Sequence, residues 1–151
     1  MRTQNDWTES ARTVNAVMMV STKGRYALRL MIDIARQGEA GVLVTMRQAA
    51  ERENLSVKYL EQLGGALVRA GVLKSIRGVS GGYLLARPAE EITVGDILRA
   101  TEGPAGPVAC VETPESCDRN EYCAARSFWC GLGEVINNYA DSVPLSQLAA
   151  Q

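Results

Sequence analysis

The stretch 45–86 constrains the fold of this 151-residue chain more than any other part of the sequence. Thr45 and Gln48 form a capping-box pattern, in which the hydroxyl and the amide side chain each satisfy a free backbone N–H group at the start of a short helix. Asn54-Leu55 then makes a tight turn, and Ser56 caps a second helix with the sequence SVKYLEQLGGALVRAG. Two helices joined by so short a turn predict a helix-turn-helix unit.

A glycine-rich hairpin is predicted directly after the second helix. Residues 72–76 and 83–86 have the composition of strands and flank the segment RGVSGG at 77–82. Its three glycines allow positive φ angles and let the backbone approach another molecule closely. A hairpin in this position is a wing, so the pattern predicts a mainly helical fold with a winged helix-turn-helix domain.

Helical periodicity continues on both sides of this unit. Before it, Tyr26, Leu30 and Ile34 recur at four-residue spacing, and after the hairpin Thr93 opens another short helix. Near the carboxyl end an apolar stripe recurs at three- and four-residue spacing, which predicts a long amphipathic helix. The stripe consists of Phe128, Leu132, Val135, Ile136, Tyr139 and Val143.

Charge is divided unevenly along the chain. Residues 19–88 carry eleven cations and five acids, a net charge of +6, whereas residues 89–151 carry three cations and ten acids, a net charge of −7. A basic half joined to an acidic half favours a polyanion-binding module that carries a segment with another task. A chance distribution of solvated charge is the alternative.

These patterns divide the chain into five parts. We expect a disordered extension at 1–18, the winged helix-turn-helix domain at 19–102, a cysteine-containing loop at 103–122, a dimerisation helix at 123–145 and a tail at 146–151. The carboxyl-terminal helix could also pack on the core as an ordinary helix. Dimerisation is preferred because binding to palindromic DNA requires two-fold symmetry.

Several classes of protein are disfavoured by what the sequence lacks. No apolar run approaches the roughly 18 residues that cross a bilayer, and the first residues lack the apolar core of a signal peptide. We therefore expect a cytoplasmic protein without a membrane partner. The chain has no histidine, no phosphate loop and no supported pair of carboxylates, so neither an enzyme nor a small-molecule substrate is expected.

Four cysteines, the only ones in the chain, occupy the spacing Cys-x6-Cys-x5-Cys-x6-Cys from Cys110 to Cys130. In the cytoplasm thiols stay reduced unless they bind metal or sense oxidants. The spacing contains no Cys-x2-Cys pair of a zinc ribbon and matches no common ferredoxin spacing. The chemistry alone leaves three possibilities open, namely an iron–sulfur cluster, zinc, and a redox thiol or disulfide switch.

The chain resembles a known bacterial family in four segments that are followed by spaced cysteines: STKGRYALRLM, LSVKYLEQL, IRGVSGGYLLARP and ITVGDILRATEG. This is the winged-helix family of the iron–sulfur cluster regulator IscR, also called the Rrf-two family, and the resemblance covers about residues 19–145. It implies a homodimeric transcription regulator that binds double-stranded DNA at a palindromic operator. Many members bind an iron–sulfur cluster through three cysteines before the dimerisation helix and use it to set DNA affinity.

Residues at the start of the second helix are the predicted base readers. The helix that begins at Ser56 should enter the major groove with its first residues facing base edges. Lys58 can donate to guanine or phosphate, Glu61 can accept from cytosine, and Tyr59 can contact the DNA or pack in the core. The resemblance implies that Glu61 restricts which sites are accepted, whereas Lys58 departs from the small hydroxyl residue of IscR.

Other DNA contacts are expected from the wing and from two helix starts. Arg77, followed by Gly78 at the wing tip, resembles the minor-groove arginine of the family, which benefits from the negative potential of a narrow groove. Lys23, Arg25 and Arg47 are expected to contact phosphates, which sets the register without reading sequence.

The resemblance also implies a role for three of the cysteines. Cys110, Cys117 and Cys123 align with the three cluster ligands of the family, so an iron–sulfur cluster is the expected cofactor. A two-iron two-sulfur cluster is favoured over a four-iron four-sulfur cluster, and zinc is the weaker alternative.

The fourth ligand departs from the family pattern. Arg126 stands where IscR-like proteins have a histidine, and Arg25 stands where other relatives have an acidic ligand. Cys130 is the candidate substitute, although it lies about 10 Å beyond Cys123 if a helix already spans both, and it could instead be a buried apolar thiol. Other candidates are Asp118, Glu121, a residue of the partner subunit and an exogenous thiol.

The leading expectation is a DNA-binding regulator that senses iron–sulfur cluster status, iron or redox state. A regulator of the same fold that uses thiol oxidation or a protein partner, as in cysteine-metabolism members of the family, is the alternative. An electron-transfer or metal-handling protein comes third, because such a protein has no need of a basic winged half.

Overall fold

The structure, a computed structural model, describes residues 20–38, 41–103 and 106–151, so the expected extension at 1–18 lies outside it. The fold is mainly helical with one antiparallel hairpin, as predicted. The elements are α1 (Thr22–Gln37), α2 (Met46–Glu53), α3 (Val57–Arg69), β1 (Leu73–Ile76), β2 (Gly82–Leu85), α4 (Val94–Glu102), α5 (Ala109–Glu112), α6 (Arg126–Ser142) and α7 (Leu145–Ala149).

The helix-turn-helix forms through the predicted caps. Thr45 Oγ1 accepts from the backbone N–H of Gln48, and the Gln48 side chain accepts from the N–H of Thr45, so the capping box is complete. Asn54 adopts the left-handed conformation, with φ at 53°, and ends α2. Ser56 Oγ then accepts from the N–H of Tyr59 and starts α3.

The buried face of α3 consists of Leu60, Leu63 and Leu67. Ala70, which the periodicity would continue into this face, is exposed because the helix ends there. Gly71 follows with φ at +74°, a conformation that favours glycine, and the chain turns from it into β1.

The hairpin is attached to the loop that precedes α2. β1 and β2 pair from Leu73 opposite Leu85 to Ile76 opposite Gly82. Val44 adds a further bridge, since its N–H donates to the carbonyl of Tyr83 and the Tyr83 N–H donates back, at 2.9 and 2.8 Å. The base of the wing is therefore fixed to the start of the helix-turn-helix.

The core joins α1, the helix-turn-helix, α4 and α7. Its fully buried members include Leu30, Met31, Ile34, Leu60, Leu67, Ile92, Ile97 and Leu145. Asp33 is the buried charged residue of the described chain, and both of its carboxylate oxygens accept from Arg52, at 2.7 and 2.8 Å. This pair ties α1 to α2.

The carboxyl-terminal part differs from the predicted boundaries. α6 begins at Arg126, three residues after Cys123, because turns occupy the residues before it and no side chain caps it. Residues 146–151, expected to be a tail, lie mostly in α7, which packs on α1 through the fully buried Leu145. The N–H of Leu145 donates to the carbonyl of Ile92 at 2.7 Å, which holds α7 in place.

None of the helices within the described ranges combines the length and apolarity that crossing a membrane requires.

Candidate DNA interface and cysteine segment

The first turns of α3 present polar side chains to solvent. Ser56, Lys58 and Glu61 are exposed, as expected of residues that read a groove. Tyr59 is half-buried and packs against the core, with its ring edge-to-face against Tyr26 of α1 at 6.0 Å between ring centres. Tyr59 therefore packs against the core, and it also lines a surface cavity with Lys23.

The wing tip is held by its glycines. Arg77 and Gly78 are exposed, and Gly78 adopts φ at +111°, which an L side chain rarely tolerates. A Cβ on Gly81 would lie 2.9 Å from the Gly78 carbonyl oxygen, so the turn is too tight for a side chain there. Val79 between them is fully exposed, a feature that the sequence alone did not single out.

The start of α1 is linked to the start of α3 by an aromatic contact. Lys23 and Arg25 are exposed in the first turns of α1, and the Arg25 guanidinium lies 5.9 Å from the ring centre of Tyr26. Since Tyr26 contacts Tyr59, the predicted phosphate contacts of α1 lie beside the predicted reading helix. Arg47 is exposed in the first turn of α2.

The predicted DNA-contacting cations are not engaged in the ion pairs of the described chain. Those pairs instead use four other arginines: Arg29 with Glu53, Arg52 with Asp33, Arg87 with Asp96, and Arg99 with Asp96 and Asp141. The positive charge of these predicted DNA-contacting cations is therefore available to a polyanion.

The cysteine segment, by which we mean residues 103–125 between α4 and α6, contains three of the four thiols. Cys110 lies in α5, Cys117 follows the turn Pro114–Ser116, and Cys123 precedes α6. Cys130 lies in α6, just over one turn from its start. All four are half-buried and free.

The sulfurs do not converge in this arrangement. No three side chains of the metal-ligating types come together anywhere in residues 20–38, 41–103 and 106–151. The donor types suit a soft metal or a cluster, but the geometry does not fit a preformed site. Holding a metal would therefore require the cysteine segment to rearrange.

Two buried side-chain atoms, one in the cysteine segment and one at the start of α6, lack hydrogen-bond partners within the described chain. Arg126 Nε and Asn120 Oδ1 are buried without a hydrogen-bond partner among the described residues. Such groups are uncommon in a settled interior.

The apolar stripe of α6 is exposed over much of its length. Phe128, Val135 and Tyr139 are 62%, 65% and 73% exposed, and Leu132 and Ile136 are half-buried. A groove of about 470 Å³ runs beside the stripe. It is lined by Leu28, Val94, Leu98, Ile136, Val143 and Leu148.

Residues 20–151 match the sequence profile of the family described as "Rrf2: Iron-dependent Transcriptional regulator". The chain belongs to the Rrf2 family. Its winged helix-turn-helix fold and exposed basic surface are those of a DNA-binding transcription regulator. The relatives are named as transcriptional regulators, and the chain is not an enzyme.

The relatives include proteins named CymR and proteins named IscR. The transcriptional regulator CymR of Bacillus subtilis is 41% identical over 88% of this chain and 91% of its own length. IscR of Serratia proteamaculans is 34% identical over 87% of this chain and 79% of its own length. Membership of the Rrf2 family therefore supports a role in transcription regulation but does not determine which signal the chain senses.

Solved structures of regulators named CymR also match the fold of this chain. The structure of CymR, named the global cysteine regulator of B. subtilis, matches with a TM-score of 0.73 and 38% identity over 88% of this chain and 97% of that one. The oxidized form of Staphylococcus aureus CymR matches with a TM-score of 0.69 and 40% identity over 89% of this chain and 98% of that one.

Proposed function

We propose that this Rrf2-family regulator binds a palindromic operator as a homodimer and that the state of its four cysteines sets its affinity for DNA. The observation that carries the proposal is the placement of three thiols in one segment that leaves the winged domain at α4 and enters the apolar helix α6. A change in this segment can therefore act on both the DNA-reading half and the dimer contact.

Reading of DNA would use α3 and the wing. Lys58 and Glu61 are exposed in the first turns of α3, and the first turns of a recognition helix are the part that contacts base edges. Arg77 projects from a tip whose glycines keep the backbone compact, which suits a minor groove. Lys23, Arg25 and Arg47 supply positive charge at two helix starts for the phosphates.

Dimerisation would use the stripe of α6. An apolar face with three large side chains more than half exposed is unusual on a monomer and is typical of a protein–protein contact. A second copy of the chain provides the same face, so one interface related by a two-fold axis covers both stripes. That symmetry also matches two half-sites of a palindrome.

For the signal, we favour an iron–sulfur cluster held by Cys110, Cys117 and Cys123. Thiolates are the ligands that such clusters use, and the three positions are those at which the chain resembles cluster-binding members of the family. A bound cluster would supply a group whose presence and oxidation state depend on iron, sulfide and oxidants. The fourth ligand is open between Cys130, Asp118, Glu121, the partner subunit and an exogenous thiol.

The decisive experiment is anaerobic purification of the whole chain, followed by reconstitution with ferrous iron and sulfide. We expect a coloured protein with bound iron and acid-labile sulfide, and a two-iron two-sulfur spectrum. Single Cys→Ser variants at 110, 117 and 123 should lose the colour, and the Cys130 variant tests the fourth ligand. A wild-type protein that stays colourless and free of both iron and sulfide would refute the cluster.

A second candidate signal is oxidation of the thiols without a metal. Two observations favour it: the sulfurs of the described chain do not converge on one point, and the matching structures include an oxidized form of CymR. In this case peroxide should change the DNA affinity of the metal-free protein by at least about fivefold. Counting free thiols before and after treatment would identify the cysteines that react.

A further inference from the structure

Glu102 connects the end of α4 to the start of α1. It is the last residue of α4 and stands immediately before the cysteine segment. Its Oε1 atom accepts from the backbone N–H of Gly24 at 2.9 Å and from the hydroxyl of Ser21. A residue 78 positions away in sequence is thus bound to the first turn of α1.

The contact depends on a glycine in α1. A Cβ on Gly24 would lie 2.5 Å from Glu102 Oε1 and 3.1 Å from Leu98 Cδ2, so any larger residue would push the carboxylate away. Gly24 is buried under this contact although Glu102 is exposed at its edge. The two helices are therefore in tight contact where the cysteine segment begins.

The same turn of α1 carries predicted phosphate contacts. Lys23 lies between Ser21 and Gly24, and Arg25 follows directly. Lys23 also lines a cavity of about 320 Å³ with Tyr59 of α3 and Thr101 of α4. The end of α4 therefore meets the starts of α1 and α3, the two helices that we assign to DNA contact.

We infer that Glu102 is a positioning residue that couples the cysteine segment to the DNA-contacting end of α1. The inference rests on the proposed function, because it requires that the cysteines set DNA affinity. Gly103, with φ at +83°, is the first residue of the cysteine segment and links Glu102 to the rest of it. Rearrangement of the segment moves this link, and the two bonds of Glu102 pass the displacement to the turn that holds Lys23 and Arg25.

Coupling of this kind is measurable as a ratio of affinities. An operator is first selected from random duplex DNA with the wild-type protein. Its dissociation constant is then measured at one salt concentration for the reduced metal-free, the peroxide-treated and the reconstituted protein. The largest ratio between two states is the coupling ratio, and we expect at least about fivefold for the wild type.

Glu102→Ala should bring the coupling ratio close to 1, because the segment then moves without displacing α1. Ser21→Ala removes one of the two bonds from the other end, together with the cap that Ser21 Oγ provides for the N–H of Lys23, and should lower the ratio in part. Ser21→Thr keeps a hydroxyl for both contacts and should keep the ratio. Glu102→Gln keeps an oxygen acceptor at the same reach and should keep most of the ratio. Glu90→Ala is the matched control, since it removes an exposed acid from the turn before α4, at the other end of this helix.

The outcomes separate the inference from the proposed function. A wild-type ratio of 1 in every state overturns cysteine sensing and the coupling together. If the wild type has a coupling ratio well above 1 and both Glu102→Ala and Ser21→Ala have the same ratio as the wild type, the coupling alone is overturned. If the helical circular dichroism signal of Glu102→Ala is weaker than that of the wild type, the test relies on Ser21→Ala instead. A coupling ratio of Ser21→Ala equal to that of the wild type then counts against the coupling.

Discussion

Arg77 is the side chain on which we expect wing recognition to depend. It is exposed at the tip and lies outside the ion pairs of the described chain. Arg77→Ala should weaken binding to the selected operator by about 1–3 kcal/mol, or about 5- to 150-fold, because a guanidinium in the minor groove has no replacement. Titration of labelled duplex by fluorescence anisotropy measures the change.

Lys74→Ala is the matched control for Arg77, since Lys74 is an exposed cation of β1 in the same hairpin. It should lower affinity less and equally for specific and random DNA. Equal effects of the two substitutions would show that the wing contributes charge only, and an unchanged affinity for Arg77→Ala would remove it from the interface.

Asp33 and Arg52 are expected to matter for stability rather than for DNA. The Asp33 carboxylate is buried and accepts two bonds from the guanidinium, and this bond raises the pKa of Arg52. Asp33→Asn should lower the free energy of unfolding by about 2 kcal/mol, because a buried charge-assisted pair is broken while Arg52 is partly exposed. Urea denaturation followed by circular dichroism measures this.

The pair of Arg29 and Glu53 provides the comparison for Asp33. It also joins α1 to α2, at 2.8 Å, but its side chains are 44% and 22% exposed. Glu53→Gln should therefore cost less than about 1 kcal/mol. A loss as large as that of Asp33→Asn would mean that burial does not distinguish the two pairs.

At the scale of the elements, the sequence predicted the parts that have local stop and start signals. The capping boxes at Thr45 and Thr93 and the cap at Ser56 start helices where expected, because each hydroxyl bonds an N–H within three residues. α6 has no side-chain cap, so its start at Arg126 depends on the turns before it. Nothing in residues 146–151 predicted α7, since the position of this helix depends on the contact of Leu145 with the distant core.

The candidate site also combines features that local sequence patterns predict with contacts that they do not. Exposure of Lys58, Glu61 and Arg77 follows from their place on predicted elements, and the structure agrees with it. The contact of Glu102 with Gly24 joins residues 78 positions apart, and no local pattern encodes it. The three-dimensional arrangement of the cysteines could not be predicted from the sequence either, because their spacing alone is compatible with a cluster, with zinc and with thiol chemistry.

The start of α4 should make stability depend on pH. Burial of Asp96 raises its pKa, but bonds from the Thr93 N–H, the charge of Arg87 and a bond from Arg99 outweigh burial and lower the pKa below the ordinary value of 3.8. A carboxyl whose pKa is lower in the folded state stabilises the fold above the unfolded value and loses that contribution as the pH falls through the folded one. The stabilising contribution of the Asp96 carboxylate is therefore lost at pH values below 3.8.

Asp96→Asn isolates this contribution. Asn keeps an oxygen that can accept from the Thr93 N–H, while the charge opposite Arg87 and Arg99 is lost. The variant should be less stable than wild type at pH 7, and the difference should shrink as the pH falls below 3.8. Urea midpoints from pH 7 to pH 2.5 measure it, and a gap that stays constant over this range would contradict the assignment.

At the scale of the whole molecule, the two charged halves and the apolar stripe fit one arrangement. In the proposed complex the basic winged domains face DNA, and most of the acidic charge lies in the carboxyl-terminal half of the chain. The stripe of α6 lies within the acidic half, beyond the cysteine segment, so in the proposed dimer a contact through α6 leaves both winged domains open to DNA. Operator spacing then depends on how the two α6 helices cross.

Tyr139→Asp tests this arrangement. Tyr139 is 73% exposed on the stripe and lines the apolar groove, so a carboxylate there would be buried without a partner in the dimer. We expect the variant to sediment as a monomer at concentrations where wild type is a dimer. Its affinity for the selected operator should fall by at least tenfold, because each half-site is then bound separately.

Tyr122→Asp is the matched control for Tyr139, because Tyr122 has nearly the same exposure, 72%, and lies outside α6 in the cysteine segment. It should remain dimeric and bind the operator as wild type does in the reduced metal-free state. Circular dichroism should show the same helical content in both variants, since neither tyrosine is buried in the fold. A Tyr139→Asp protein that stays dimeric would place the subunit contact elsewhere, and the two-fold pairing of recognition helices would then have to be built on another face.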